Sequence, residues 1–191
     1  AFAKVFEKHK HVFILSDEIY EHINYSGHHE TIAQFSSIRE RVIIVNGVSK
    51  SFAMTGWRIG YSVSPLWIAQ ACDKMQGQFT SGASSISQKA AEAALSNGLE
   101  STRIMCEAFH RRKDLMIQLL RKIPNVIVNE PHGAFYVFPD VSFYLGKNDG
   151  EKNLDNVHDL CMHLLYKAHV SVVPGNAFGD DNCIRISYSA S

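Results

Sequence analysis

The chain alternates between short, continuously apolar runs and longer stretches with helical periodicity. Residues 12–15 form one such apolar run, typical of a strand buried on both faces of a sheet, and residues 41–45, which are apolar after Arg41, predict a second buried strand. Residues 58–62 predict a third strand. Strands that alternate with helical stretches in this way indicate an α/β domain.

The helical stretches are bounded by residues that start or stop helices. Pro65 suits the first turn of a helix, whereas Pro124 ends the long stretch before it, which is long enough to bridge two domains. Two further strands are expected at residues 170–175 and 183–188, joined by a loop over residues 176–182. Helices are predicted at residues 2–9, 65–78, 87–95, 101–122 and 155–167.

The most distinctive segment covers residues 47–60, with the sequence Gly-Val-Ser-Lys-Ser-Phe-Ala-Met-Thr-Gly-Trp-Arg-Ile-Gly. The amine of Lys50 can condense with an aldehyde, and the planar, permanently charged guanidinium of Arg58 can bind a phosphate with two parallel hydrogen bonds. Small residues beside the lysine allow a ligand to come close. The segment therefore predicts a site for a phosphorylated aldehyde; the alternative is a strand end with a solvated lysine.

A second candidate segment follows the first apolar run, where Asp17 and Tyr20 come directly after a predicted strand. Ligands of open α/β sheets bind outside the carboxyl ends of the strands, which favours a functional role for both. The alternative for Asp17 is a helix N-cap. Glu18 and Glu21 are expected to face solvent.

Residues 47–60 resemble the lysine motif of class I pyridoxal-phosphate aminotransferases of fold type I, and the Asp17 segment resembles the Asp-x-x-Tyr motif of the same family. The resemblance implies that Lys50 holds pyridoxal 5'-phosphate covalently and moves a proton during catalysis. It also implies that Asp17 faces the pyridine nitrogen, Tyr20 the phenolic oxygen and Arg58 the phosphate. A carboxylate beside the ring nitrogen keeps that nitrogen protonated, which strengthens the cofactor as an electron sink.

Arg185 is the third candidate, because it alternates with apolar residues in a predicted strand. Such an arginine is costly to bury without an anionic partner, and Asp140 or Asp180 could be that partner. The segment also resembles the family's Pro-Gly-x-x-Phe-Gly loop followed by an arginine-bearing strand, which implies that Arg185 binds the substrate α-carboxylate. The aromatic run at residues 135–138 is interpreted as packing, with no catalytic role.

Composition excludes several other classes of protein. The 19 basic and 19 acidic residues and a pI near 7.3 give no electrostatic footprint for nucleic acid or a membrane surface. No apolar stretch approaches the roughly 20 residues that span a bilayer, and no signal segment opens the chain, so a cytoplasmic protein is expected. No metal site is predicted, because adjacent residues such as His28 and His29 cannot easily converge on one ion. The scattered cysteines are expected to be reduced core thiols.

Together these features resemble the C-terminal half of a longer enzyme, nearest to bacterial aspartate aminotransferases. We expect residues 1–108 to be the C-terminal part of a large, mostly parallel α/β/α domain, and residues 109–191 a small α+β domain without its last helix. The resemblance implies transamination between an amino acid, aspartate or a related one, and a 2-oxo acid, by a homodimer when intact; the fragment alone is expected to be inactive. A β-lyase of the same fold and a non-catalytic ligand-sensing domain are the alternatives.

Overall fold

The computed structural model describes residues 1–190 and divides into two compact units, residues 1–104 and a second unit that begins at Met105. The predicted division into domains 1–108 and 109–191 stays a prediction. All five predicted helices are present, with ends within a few residues of those expected. They are α1 (Phe2–Lys8), α2 (Leu66–Phe79), α3 (Ser85–Ser96), α4 (Glu100–Leu120) and α5 (Val157–Ala168).

The first unit contains a three-stranded sheet of β1 (Ile14–Asp17), β2 (Val42–Gly47) and β3 (Gly60–Val63), in the order β1-β2-β3. Strands β1 and β2 are parallel, with Asp17 opposite Val45, and β2 and β3 are antiparallel. Parallel strands present their carboxyl ends at the same edge of a sheet. The residues that follow β1 and β2 therefore leave the sheet at one edge.

The prediction that β1 is buried on both faces is wrong. Ile14 is buried, but its neighbour Leu15 is 67% exposed. Ile14 packs with Ala3, Ile38 and Val42, which cover one face of the strand. Successive side chains of a strand point to opposite faces; along β1 Ile14 is buried and Ser16 half-buried on one face, whereas Leu15 and Asp17 on the other are exposed.

The second unit contains the strands β4 (Tyr136–Val137), β5 (Lys147–Asn148), β6 (Asn153–Leu154), β7 (Val173–Pro174) and β8 (Ile184–Ser187). Three of them form an antiparallel sheet in the order β4-β8-β7, and β5 pairs with β6 as a hairpin. Helix α5 begins where the side chain of Asn156 accepts a hydrogen bond from the Asp159 amide. The core of this unit contains Val141, Leu154, Val157, Leu160, Cys161 and Ile184.

The four cysteines lie in different environments, and none forms a disulfide. Cys161 and Cys183 are buried, and burial together with Asp180 raises the pKa of Cys183 to about 11, so this thiol stays protonated at neutral pH. Cys72 is exposed on α2, so the prediction of core thiols is wrong for this residue. Within residues 1–190 no helix has the length and apolar character that crossing a bilayer requires.

Candidate active site

Lys50 lies in a tight turn that begins where β2 ends. Val48 and Ser51, on either side of it, are almost completely buried, whereas Lys50 itself is only partly exposed. The Val48 carbonyl accepts hydrogen bonds from the amides of Phe52 (3.2 Å) and Met54 (3.3 Å). The backbone around the lysine is therefore fixed by burial and by hydrogen bonds.

Two threonines add side-chain hydrogen bonds to the same turn. The buried hydroxyl of Thr102, on α4, donates to the Ser51 carbonyl at 2.6 Å. The hydroxyl of Thr55 donates to the Ser49 carbonyl at 2.9 Å. The carbonyls before and after Lys50 are thus both held by side chains from outside the immediate turn.

Glycines allow β2 and β3 to approach closely beside this turn. A Cβ atom on Gly47 would lie 3.1 Å from the Cα atom of Gly60, and a Cβ atom on Gly60 would lie 3.0 Å from the Asn46 carbonyl oxygen. Arg58 comes just before β3 and has a left-handed backbone with φ of 52°, as does Ala53 with 54°. Such conformations are uncommon for residues with side chains and often occur at functional sites.

The guanidinium of Arg58 is available for a ligand. One of its nitrogens donates to the Thr55 carbonyl at 3.0 Å, and the side chain is exposed. Arg58 forms no ion pair with any residue that the structure describes. A cation without a carboxylate partner, close in sequence to a fixed lysine, suits a phosphate group.

Asp17 is the last residue of β1, and Tyr20 lies in the turn that follows. One carboxylate oxygen of Asp17 accepts a hydrogen bond from the Ile19 amide at 3.2 Å. The N-cap alternative is wrong, because no helix begins here; the next helical turn is the short 3-10 turn Ile32–Gln34. Asp17 and Lys50 therefore follow adjacent parallel strands at the same edge of the sheet.

Glu18 differs from expectation, because its side chain is buried rather than solvent-facing. The carboxylate accepts hydrogen bonds from the hydroxyls of Thr31 (2.7 Å) and Ser16 (3.0 Å), and it lies 2.9 Å from Nε2 of His29. Burial raises the pKa of Glu18, but these hydrogen bonds outweigh burial and hold it below its ordinary value. The sequence did not predict the burial of Glu18, because this burial depends on the loop that carries His29 and Thr31 and returns to the end of β1.

His29 and Glu18 also form, with Glu21, a group whose potential metal-ligand atoms lie within 4.8 Å of one another. The hydrogen bonds of Glu18 already use both of its carboxylate oxygens, and Glu21 contacts His22 at 2.7 Å. These contacts explain the cluster as the anchor of the loop after β1.

Arg185 lies in β8 of the second unit, between β4 and β7. Its guanidinium carbon lies 4.5 Å from the ring centre of Tyr136 and 4.2 Å from that of Phe178. Both distances are within the range of cation–π interactions. The aromatic run that the sequence assigned only to packing therefore includes a direct contact of a candidate site residue.

The structural alternative for Arg185 required an acidic partner such as Asp140 or Asp180. Instead, Asp140 accepts a hydrogen bond from the Ser142 amide at 2.8 Å, and Asp180 accepts one from the Asn182 amide at 2.9 Å. Within the described chain Arg185 forms no ion pair. A partly exposed arginine without a carboxylate partner is suited to bind an anionic ligand.

The groups of the first unit fit pyridoxal 5'-phosphate in their chemistry. They comprise an amine for the aldehyde (Lys50), a cation for the phosphate (Arg58), a carboxylate for the ring nitrogen (Asp17) and a phenol for the ring oxygen (Tyr20). The carboxylate and the lysine follow neighbouring parallel strands, and the arginine precedes the strand beside them. Arg185 belongs to the second unit.

Comparisons with known proteins agree with this fit. The family model described as "Aminotransferase class I and II" matches residues 1–191. A bifunctional aspartate aminotransferase and glutamate/aspartate-prephenate aminotransferase of Petunia hybrida is 49% identical over 99% of this chain and 40% of its own length. An aspartate aminotransferase of Rhizobium meliloti (strain 1021) is 44% identical over 98% of this chain and 47% of its own length.

Solved structures give the same result. A crystal structure of the aspartate aminotransferase from Rhizobium meliloti superimposes with a TM-score of 0.93 at 43% identity, covering 98% of this chain and 48% of that one. An aromatic aminotransferase from Pyrococcus horikoshii OT3 gives 0.89 at 33% identity, with coverage of 100% and 49%. The fold is that of fold type I aminotransferases. The chain spans between 40% and 49% of the length of these four proteins.

Proposed function

The chain belongs to the class I and II aminotransferase family, and from this membership we propose that it contributes the lysine-bearing part of a pyridoxal-phosphate-dependent aminotransferase. The reaction is transamination between aspartate, or a related amino acid, and a 2-oxo acid. Support for the substrate comes from the relatives, several of which are named aspartate or aspartate/prephenate aminotransferases.

The observation that carries the proposal is the shared sheet edge after β1 and β2. Asp17 ends β1, Lys50 follows β2, and Arg58 precedes β3, which pairs with β2. An aldehyde-reactive amine, a carboxylate and an exposed guanidinium are thereby placed at the ends of three adjacent strands. None of these groups alone is specific for one ligand, but their combination matches the functional groups of pyridoxal phosphate.

Each residue has a separate task in this proposal. When bound, pyridoxal phosphate supplies an electron sink that stabilises negative charge at the substrate α-carbon. Lys50 would hold the cofactor through its amine, and the same amine would take up and return the proton of the substrate α-carbon. Asp17 keeps the proton on the ring nitrogen, and Tyr20 donates a hydrogen bond to the ring oxygen.

Two arginines bind the anionic ends. Arg58 binds the cofactor phosphate, and Arg185 binds the substrate α-carboxylate, since a guanidinium presents two parallel N–H donors that match both groups. The homodimer and the cytoplasmic location stay predictions.

The test uses the product of the longest open reading frame that encodes these 191 residues, called the full-frame protein below. Purified with pyridoxal phosphate, it should transfer the amino group of aspartate to a 2-oxo acid acceptor, and no transfer should occur without the acceptor. Release of pyruvate with ammonia would identify a β-lyase instead. The 191-residue chain, assayed in parallel, should show no turnover.

A further inference from the structure

The arrangement that holds Arg185 in place is unusual for a ligand-binding arginine. An arginine carries five N–H donors on a long, flexible side chain, which is normally fixed by hydrogen bonds or by an ion pair. With the residues that the structure describes, the Arg185 side chain forms neither. Its guanidinium carbon instead lies 4.5 Å from the ring centre of Tyr136 and 4.2 Å from that of Phe178.

The strand register places Tyr136 next to Arg185. Tyr136 lies opposite Ser187 in the antiparallel pair of β4 and β8. Arg185 is two residues before Ser187 and therefore lies on the same face, in the diagonal position from Tyr136. Diagonal neighbours on one face are within reach of aromatic and long side chains.

Phe178 reaches the same guanidinium from the 3-10 turn Gly175–Phe178 that follows β7. This turn is packed tightly against Cys183, the residue before β8, because a Cβ atom on Gly175 would clash with the Cys183 carbonyl oxygen. The Phe178 ring also meets Phe138 edge-on, with ring centres 6.0 Å apart. The turn and this second ring keep Phe178 over the arginine.

We propose that Tyr136 and Phe178 are positioning residues that hold the Arg185 guanidinium for a carboxylate ligand through ring contacts alone. This inference rests on the proposed role of Arg185 in binding the substrate α-carboxylate. Aromatic faces attract a cation without taking up the N–H donors from which a carboxylate would accept hydrogen bonds. Among residues 1–190 the N–H donors of Arg185 therefore stay available, and no carboxylate of these residues neutralises its charge.

The test measures binding of succinate, a dicarboxylate that cannot be transaminated, to the full-frame protein loaded with pyridoxal phosphate. Phe178→Leu and Tyr136→Leu should each raise the succinate dissociation constant about 3- to 10-fold, as expected for the loss of a cation–π contact. Phe178→Tyr and Tyr136→Phe keep a ring and should restore the affinity. The affinity for pyridoxal phosphate and the urea unfolding midpoint should stay near those of the unchanged protein.

A matched control comes from Phe143, whose ring lies 3.2 Å from the Lys147 ammonium in the same unit. Phe143→Leu removes a cation–π contact elsewhere and should leave succinate binding unchanged. Equal weakening in Phe143→Leu, or unchanged binding in both the Phe178 and Tyr136 leucine variants, would overturn the positioning role.

Arg185→Ala separates this proposal from the function on which it rests. If Arg185→Ala weakens succinate binding and the two leucine variants do not, the positioning role fails and the carboxylate role stands. If Arg185→Ala leaves succinate binding unchanged, the carboxylate role fails and the positioning role fails with it.

Discussion

Two cationic candidate residues of this chain, Lys50 and Arg185, are held in different ways. Lys50 lies in a turn whose backbone is fixed by buried neighbours and by hydrogen bonds from Thr55 and Thr102. Arg185 lies in a regular strand, and its side chain is fixed by two aromatic rings. The first site is held through the backbone, the second through the side chain.

The difference matches what each proposed task requires. A lysine that attaches to one carbon atom and moves a proton must be aimed within a fraction of an ångström. An arginine that exchanges one carboxylate for another needs an oriented charge with available donors. A hydrogen-bonded turn provides the first, and ring contacts provide the second without competing for the N–H groups.

The largest expected effect is at Lys50. Lys50→Ala in the full-frame protein should lower the transamination rate at least about 10²- to 10⁴-fold, because it removes both the attachment point and the proton carrier. Borohydride reduction of the unchanged protein followed by peptide mapping should place a pyridoxyl group on Lys50. A label on another lysine would show that the hydrogen-bonded turn serves a different purpose.

The next effect is expected at Asp17. Asp17→Ala should still bind the cofactor, but its turnover should fall about 10- to 100-fold, since a hydrogen bond to a charged group contributes roughly 1.5–3 kcal/mol. Asp17→Asn keeps an acceptor for the Ile19 amide and is the matched control for local structure. Turnover of Asp17→Ala equal to that of the unchanged protein would contradict the electron-sink role.

A stability effect of similar size should follow from Thr102. Thr102→Val leaves the buried Ser51 carbonyl without its 2.6 Å hydrogen bond and should cost about 1–3 kcal/mol of unfolding free energy. Urea unfolding measures this cost, and Thr102→Ser should recover most of it. A valine variant as stable as the unchanged protein would mean that the turn does not depend on this bond.

Arg185→Lys tests the second of the two cationic residues, Arg185, and its proposed role in binding a carboxylate. The substitution keeps the charge but loses the paired N–H donors, so kcat/KM for aspartate should fall about 10-fold with an unchanged melting temperature. A buried structural ion pair predicts the reverse: a clear loss of stability on Arg185→Ala and normal catalysis per folded molecule. Measuring kcat/KM and thermal unfolding for both variants decides between them.

The smallest effect concerns the buried Glu18 carboxylate, whose folded-state pKa lies below its ordinary value of 4.5. A lowered pKa stabilises the fold above the unfolded-state pKa, and this stability is lost as pH falls through the folded-state pKa. Urea midpoints measured from pH 6 down to pH 3, roughly the range over which carboxylates titrate, should therefore fall more steeply for the unchanged protein than for Glu18→Gln. Parallel curves would show that the Glu18 hydrogen bonds do not favour its ionised form.

Much of the fold could be predicted because its signals are local. Pro65 immediately precedes α2, and the apolar run at residues 12–15 overlaps β1, which extends from Ile14 to Asp17. Two of the charged candidate residues, Lys50 and Arg58, come from one continuous motif, and their prediction needed no knowledge of the tertiary structure. Whether these residues act as proposed depends on the experiments above.

What could not be predicted depends on contacts between distant parts of the chain. Glu18 looks like a surface residue until the loop carrying His29 and Thr31 returns to cover it. The ring of Tyr136 reaches Arg185 only because of the register between β4 and β8. The sequence also predicts more burial of β1 than the structure shows. An apolar run indicates that both faces of a strand can be buried, but it does not show that the described residues cover both of them.

Strand β1 has a practical consequence for anyone who expresses these residues alone. Among the described strands β1 pairs only with β2. The amides and carbonyls on its side away from β2 therefore have no strand partner among these residues, and Leu15 adds an apolar surface. Such an edge is a template for strand addition by another copy. The isolated polypeptide should therefore self-associate during expression, and Leu15→Lys would be the first substitution to try for recovering soluble material.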